Sequence, residues 1–177
     1  MVSDLLAGCR FVAQSKEGMM PCKERLVQYL SDARVDFDVH QHPVAYTAQE
    51  LAAAEHVPGR MVAKSVIVVA DGQMVMLVLP AVHQVDLERA AAVTHAAKVR
   101  LADEREFAAA FPDCETGAIP PFGNLYHLPV YVDESLARDK TIVFPAGTHT
   151  DTIAMKYADY ERLAQPAVAE FRLAARV

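Results

Sequence analysis

The stretch GRMVAKSVIVVADGQMVMLVLPA, Gly59–Ala81, decides the fold. Asp71-Gly72 splits it into two apolar runs, and an Asp-Gly pair in that setting predicts a tight hairpin turn with positive φ at both central residues. Apolar side chains fill odd and even positions alike, so both faces of each strand must be covered and the pair belongs in the middle of a sheet. One residue breaks the pattern. Lys64 shares a strand face with Val66 and Val68, where an ammonium group loses solvation and its pKa falls unless an anion compensates. Either its aliphatic stem carries the charge out to water from the strand's end, or it stands in a pocket that takes an anionic ligand.

Outward from the hairpin, residues 22–35 place Leu26, Val27 and Leu30 at helical spacing, and VDFDVHQH alternates as a strand with Val35, Phe37 and Val39 on one face. TAQELAAAEH opens with Thr47 and Glu50 in capping-box spacing and stops at Pro58-Gly59. Downstream, VDLERAAAV is a helix capped by Asp86, KVRLA a short strand, and DEREFAAAF a helix ended by Pro112. LPVYVD, KTIVFP and DTIAMK are strands, and YADYERLAQ is the last helix. Strands and helices intermix without regular βαβ alternation. The expected class is mixed α/β (α+β), a substantially antiparallel mixed sheet or partial barrel flanked by helices.

The whole chain narrows the field further. Its 177 residues suit one domain with a sizeable core, and the composition, 53% hydrophobic and 23% charged, is that of a globular protein. No repeat or flexible linker divides it, so residues 21–177 are expected to form one domain after a loose extension, residues 1–20. A net charge of -6 argues against a broad nucleic-acid groove and against DNA as a partner, while leaving room for a site that touches a few phosphates. Cys9, Cys22 and Cys114 are an odd set without CxxC spacing, which points to a reducing, cytoplasmic setting. No run of about 18 apolar residues exists, so no membrane span is expected.

Two glycine loops bear on Lys64. In GAIPPFGN, Gly117–Asn124, glycines bracket two prolines, giving a rigid loop where a ligand can approach bare backbone; a structural crossover would read the same way. PAGTHTD, after the TIVF strand, adds Gly147, Thr148 and His149, in a pattern that also fits a plain hairpin turn. Taken in order, HPVAYTAQE, VAKSVIVV, GAIPPFG and AGTH resemble the YbaK family of aminoacyl-tRNA deacylases, which is similar to the editing domain inserted in bacterial prolyl-tRNA synthetases. The likeness runs from about Phe37 to Leu163.

That resemblance implies hydrolysis of the ester joining a wrongly chosen amino acid to a tRNA 3′ end, in trans and with tRNA-Pro as the expected acceptor. It makes Lys64 the key functional residue, with Gly117 and Gly147 as backbone donors to the oxyanion. Ile119, Pro120 and Phe122 would wall a small aminoacyl pocket, and His149 would match a position that varies within the family. Tyr46 and Thr47 lie at a helix N-terminus and are peripheral candidates. Relatives handle alanine, cysteine and serine; a small residue is expected, alanine first. The ester is already activated, so no cofactor is expected, and an aminoacyl-tRNA synthetase is a candidate partner.

Other readings compete. His40 and His42 point the same way on a strand and with His127 or His149 could hold zinc, but no Cys or carboxylate completes a recognised spacing. Cys114 lacks a basic neighbour in sequence to activate it and reads as a structural thiol. A non-catalytic module that holds tRNA ends or nucleotides is the main alternative to the enzyme, and a deacylase of small free esters is a third.

Overall fold

The structure is a computed structural model that describes residues 19–173. The proposed loose extension therefore lies almost wholly outside the described residues; Met19 and Met20, its last two, are exposed. Among the described residues, eight strands form two sheets. Strands β1 (Phe37–Gln41), β7 (Asp151–Lys156) and β6 (Thr141–Pro145) make one, in the order β1-β7-β6. The other has the order β4-β2-β3-β5-β8, from β2 (Ala63–Ala70), β3 (Gln73–Pro80), β4 (Val99–Leu101), β5 (Val130–Asp133) and β8 (Ala167–Ala169). Pairing is antiparallel except β3 with β5 and β5 with β8. A single parallel bridge, Val62 to Val143, stitches the sheets together just before β2. The mixed, largely antiparallel class expected from the sequence is the one observed.

The hairpin behaves as its sequence dictates. Asp71 and Gly72 both take positive φ, 47° and 87°, and the Asp71 carboxylate accepts the N–H groups of Ala97 and Lys98, tying the turn to the lead-in of β4. Register places Val66 opposite Leu77, Val68 opposite Val75, and Lys64 opposite Leu79. One face of the hairpin, with Ala63, Ile67, Met76 and Val78, enters the main core between the sheets beside Phe122, Phe144 and Tyr160. The other, with Val68, Val75, Leu77 and Leu79, packs on Ala90 of helix α3 (Leu87–Thr94) and on Phe171. Apolar residues at both parities are the imprint of these two cores.

Helix α1 (Cys22–Asp32) ends three residues earlier than its apolar spacing suggests and buries Cys22, Leu26 and Leu30. Helix α2 (Ala48–Ala54) starts with the full capping box: Thr47 Oγ1 accepts the Glu50 N–H, and the Glu50 carboxylate accepts the N–H groups of Tyr46 and Thr47. Asp86 caps α3, and Asp103 caps helix α4 (Glu104–Ala110) with Glu106 reaching back. Helix α5 (Tyr157–Ala164) follows β7 directly. Strand β1 departs from its pattern. Val39 stays 41% exposed: β1 is an edge strand of the small sheet, and residues 38–41 are exposed on both its faces.

Strand β8 has no sequence signature, since AVA is short and follows a proline. Its position follows from Asp133, which is fully buried at the end of β5. That carboxylate accepts the N–H groups of Phe171 and Arg172 and a 2.7 Å bond from the Arg172 guanidinium, fastening the C-terminal segment to the sheet. Burial would raise its pKa, but bonds from Ser135, Arg172 and Phe171 outweigh it and hold the carboxyl below its usual range.

Candidate active site

Lys64 enters β2 one residue after Ala63, on the face opposite Ile67. It is half-buried, and no carboxylate among the described residues pairs with it. Its Nζ donates instead to two carbonyls of the segment after β3: His83 O, and Ala81 O at 3.4 Å. Burial without a counter-ion lowers its pKa from 10.5. The ammonium is held by neutral dipoles that leave its net charge uncompensated, a state suited to an arriving anion.

Lys64 lines a cavity of about 30 Å³ together with Ser65, Gly117, Ala118, Pro145 and His149, roofed by the segment Ala45–Ala48 and Leu51. The β2 start, the α2 N-terminus, the loop after α4 and the β6–β7 turn thus meet at one point. Gly117 has φ +89°, and a Cβ there would meet only His149 Cε1, at 3.8 Å. Its N–H finds no acceptor among the described residues. His149 is fixed at three points: its N–H donates to Glu115 Oε2 at 2.7 Å, its Nδ1 lies 3.2 Å from Ala45 O, and its ring packs on Tyr46 with centroids 4.9 Å apart. Tyr46 is 70% exposed, so it forms the rim.

Gly147, Ile119, Pro120 and Phe122, also expected at the site, are not among the residues lining the cavity. Gly147 is not a free backbone donor: its N–H is given to Ala118 O at 2.9 Å, and its φ of +97° serves close packing, since a Cβ would fall 2.5 Å from Cys22 Sγ. Ile119, Pro120 and Phe122 do not line the cavity. Phe122 is fully buried, edge-on to Tyr29, Phe144 and Tyr160, and Ile119 is 2% exposed in the same core. The rigid wall is the backbone of Gly117–Ala118, anchored below by these side chains. Thr47 lines the cavity while its hydroxyl caps α2.

Ser65 was missed by sequence reading. The residue lines the cavity, and its Oγ is buried without a hydrogen-bond partner, an uncommon state for a hydroxyl. Within an apolar run it looks like a tolerated small residue, and only the neighbouring loops reveal its position. The paired histidines are engaged with protein groups: His40 Nδ1 meets Glu55 Oε2 at 2.8 Å, and His42 Nδ1 meets Pro43 O at 2.6 Å. Thr152 also donates to Glu55, and these bonds outweigh burial to lower the carboxyl's pKa.

The structure thus joins a mixed, largely antiparallel fold to a lysine-lined cavity at the hairpin's open end. Residues 42–163 match the aminoacyl-tRNA editing domain family, and the chain belongs to that family. It is similar to the multifunctional Ser/Thr-tRNA deacylase ProXp-y of Escherichia coli strain K12, 31% identical over 154 residues that cover 84% of this chain and 92% of that protein. The protein of the same description from Escherichia coli O157:H7 matches equally. Among solved structures, a candidate trans-editing enzyme for prolyl tRNA synthetase superposes with a TM-score of 0.78 at 22% identity, covering 88% of this chain and 99% of that one. A scaffold used for epitope backbone grafting gives 0.77, with the same identity and coverage.

Proposed function

We propose that this protein hydrolyses the ester linking a small amino acid to the 3′ end of a mischarged tRNA. The observation that carries the reading is the half-buried Lys64, without a carboxylate partner among the described residues, in one small cavity with the open amide of Gly117. Lys64 binds the phosphate of the terminal adenosine, and the adenine rests on the exposed Tyr46 ring, as unstacked bases do on aromatic side chains. The aminoacyl group enters the cavity. Water attacks the ester carbonyl, and the Gly117 N–H stabilises the developing oxyanion, a contribution typically worth about 2.7–4 kcal/mol per donor. His149, braced by Glu115 and Ala45, keeps Tyr46 and the Gly117 loop in place.

Cavity size supports a small side chain, because editing sites select by exclusion where one methylene is worth only about 1–3 kcal/mol. The Ser/Thr specificity in the name of the Escherichia coli relative favours a hydroxyl-bearing cargo. Serine and threonine therefore move ahead of alanine. tRNA-Pro remains the proposed acceptor, and a synthetase the proposed partner.

The test is release of free amino acid from purified protein and a panel of tRNA-Pro and other tRNAs charged with serine, threonine, alanine or cysteine. Release of serine and threonine, lost in Lys64→Ala, supports the reading. Binding of tRNA with no release from any member identifies the non-catalytic module instead. Equal hydrolysis of minimal aminoacyl esters identifies the small-ester deacylase.

A further inference from the structure

Away from the cavity, two thiols separated by 92 positions in sequence come together. Cys22 opens α1, and Cys114 lies in the loop after α4; with Asp113 their ligand atoms fall within 4.8 Å of one another. A fourth donor stands over all three. Tyr126 Oη is 3.0 Å from Cys114 Sγ, 3.3 Å from Cys22 Sγ and 3.2 Å from Asp113 Oδ1. Four donor atoms on a tetrahedral ion, with metal–sulfur bonds of about 2.3 Å and metal–oxygen bonds of about 2.0 Å, stand about 3.3–3.8 Å apart. The protein's cluster approaches that size before any ion enters.

Its surroundings resemble a prepared outer shell. Arg25 Nη2 lies 2.9 Å from Asp113 Oδ2, and the guanidinium sits 4.3 Å above the Tyr126 ring, fixing carboxylate and phenol together. The Cys22 N–H donates to Asp113 O at 3.2 Å, locking the two donor segments to each other. Charge also balances: two thiolates, one carboxylate and the arginine sum to -2, which a divalent cation neutralises.

We propose that Cys22, Asp113, Cys114 and Tyr126 form a binding site for a thiophilic divalent ion of the zinc class. The site is distinct from the Lys64 cavity, and it does not depend on the deacylase reading. It lies beneath the cavity's wall, because Cys22 packs against Gly147, whose N–H and carbonyl hold Ala118 and Glu115. An ion there would clamp α1 to the loop that presents Gly117.

The test uses the full-length protein, reduced and metal-free, titrated with Co²⁺ as a spectroscopic stand-in for zinc. The expected result is a thiolate-to-cobalt charge-transfer band that saturates at one ion per chain and is displaced by Zn²⁺. Cys9→Ser should keep the band, Cys22→Ser and Cys114→Ser should lose it, and Asp113→Asn should weaken it at least tenfold. A measurement on the unmutated chain guards against variants that fail to fold: Zn²⁺ should protect Cys22 and Cys114 from alkylation while Cys9 reacts unchanged. Absence of the band, its survival in the Cys22→Ser and Cys114→Ser double variant, or alkylation indifferent to Zn²⁺ would each overturn the proposal. Failure here leaves mischarged-tRNA hydrolysis untouched, and the converse also holds.

Discussion

A single lysine shows how much chemistry one placement can set. Lys64 is held by the carbonyls of Ala81 and His83, with no carboxylate partner among the described residues, so the folded protein binds its proton less tightly than the unfolded chain does. The sign of the linkage follows. Below the lowered pKa the fold carries the cost of a desolvated charge, and stability rises with pH between that value and the unfolded 10.5. Lys64→Met should therefore unfold at higher urea than wild type at neutral pH, with the gap closing as pH climbs through that window. A gap independent of pH would mean the ammonium is fully solvated. The two loop glycines should separate by variant. Gly117→Ala should cost only about 1–2 kcal/mol, the penalty of the left-handed region, because a Cβ there meets nothing closer than 3.8 Å. Gly147→Ala adds a clash with Cys22 and should cost clearly more in the same urea titration.

At the scale of elements, local chemistry and periodicity carried most of the information. The Asp71-Gly72 turn, the Thr47–Glu50 capping box and the Asp86 cap were legible because each rests on residues within a few positions of one another. Thr47→Ala should cost about 1 kcal/mol of unfolding free energy, measured by urea titration, through loss of the α2 cap. What stayed hidden depends on distant partners. β8 exists because Asp133 gathers Ser135, Phe171 and Arg172 around one carboxylate, and no window of sequence contains that set. Ile119, Pro120 and Phe122 look like a pocket wall in sequence for the same reason: they mark a rigid loop, but only burial of Ile119 and the packing of Phe122 on Tyr29, Phe144 and Tyr160 show these side chains turned inward. Ser65 and the Cys22–Cys114 pair were equally out of reach, since burial and proximity, not residue type, give them meaning.

Across the whole molecule, three carboxylates join segments far apart in sequence: Asp133 ties the C-terminal tail to β5, Asp151 binds Lys23 of α1 at 2.5 Å, and Glu55 takes His40 and Thr152. All three have pKa values lowered by these bonds against the opposing effect of burial. Their stabilisation is complete above the ordinary carboxylate range and is lost as pH falls through the lower folded values. Thermal midpoints measured from pH 5 down to about 2 should fall steeply for wild type and less steeply for Asp133→Asn, which starts from a lower midpoint; an unchanged slope would remove Asp133 from this role. Backbone bonds between Gly147 and Ala118, Glu115 and Gly147, and Val143 and Met61 help bring the Gly117 loop, the β6–β7 turn and the β2 start to one cavity, whose proposed chemistry stands or falls on one comparison. Wild type and Lys64→Ala should be incubated with seryl- and threonyl-tRNA-Pro while free amino acid is followed. The account predicts release by wild type and a loss of at least a hundredfold in the variant, with the fold retained; equal rates for the two proteins would contradict it.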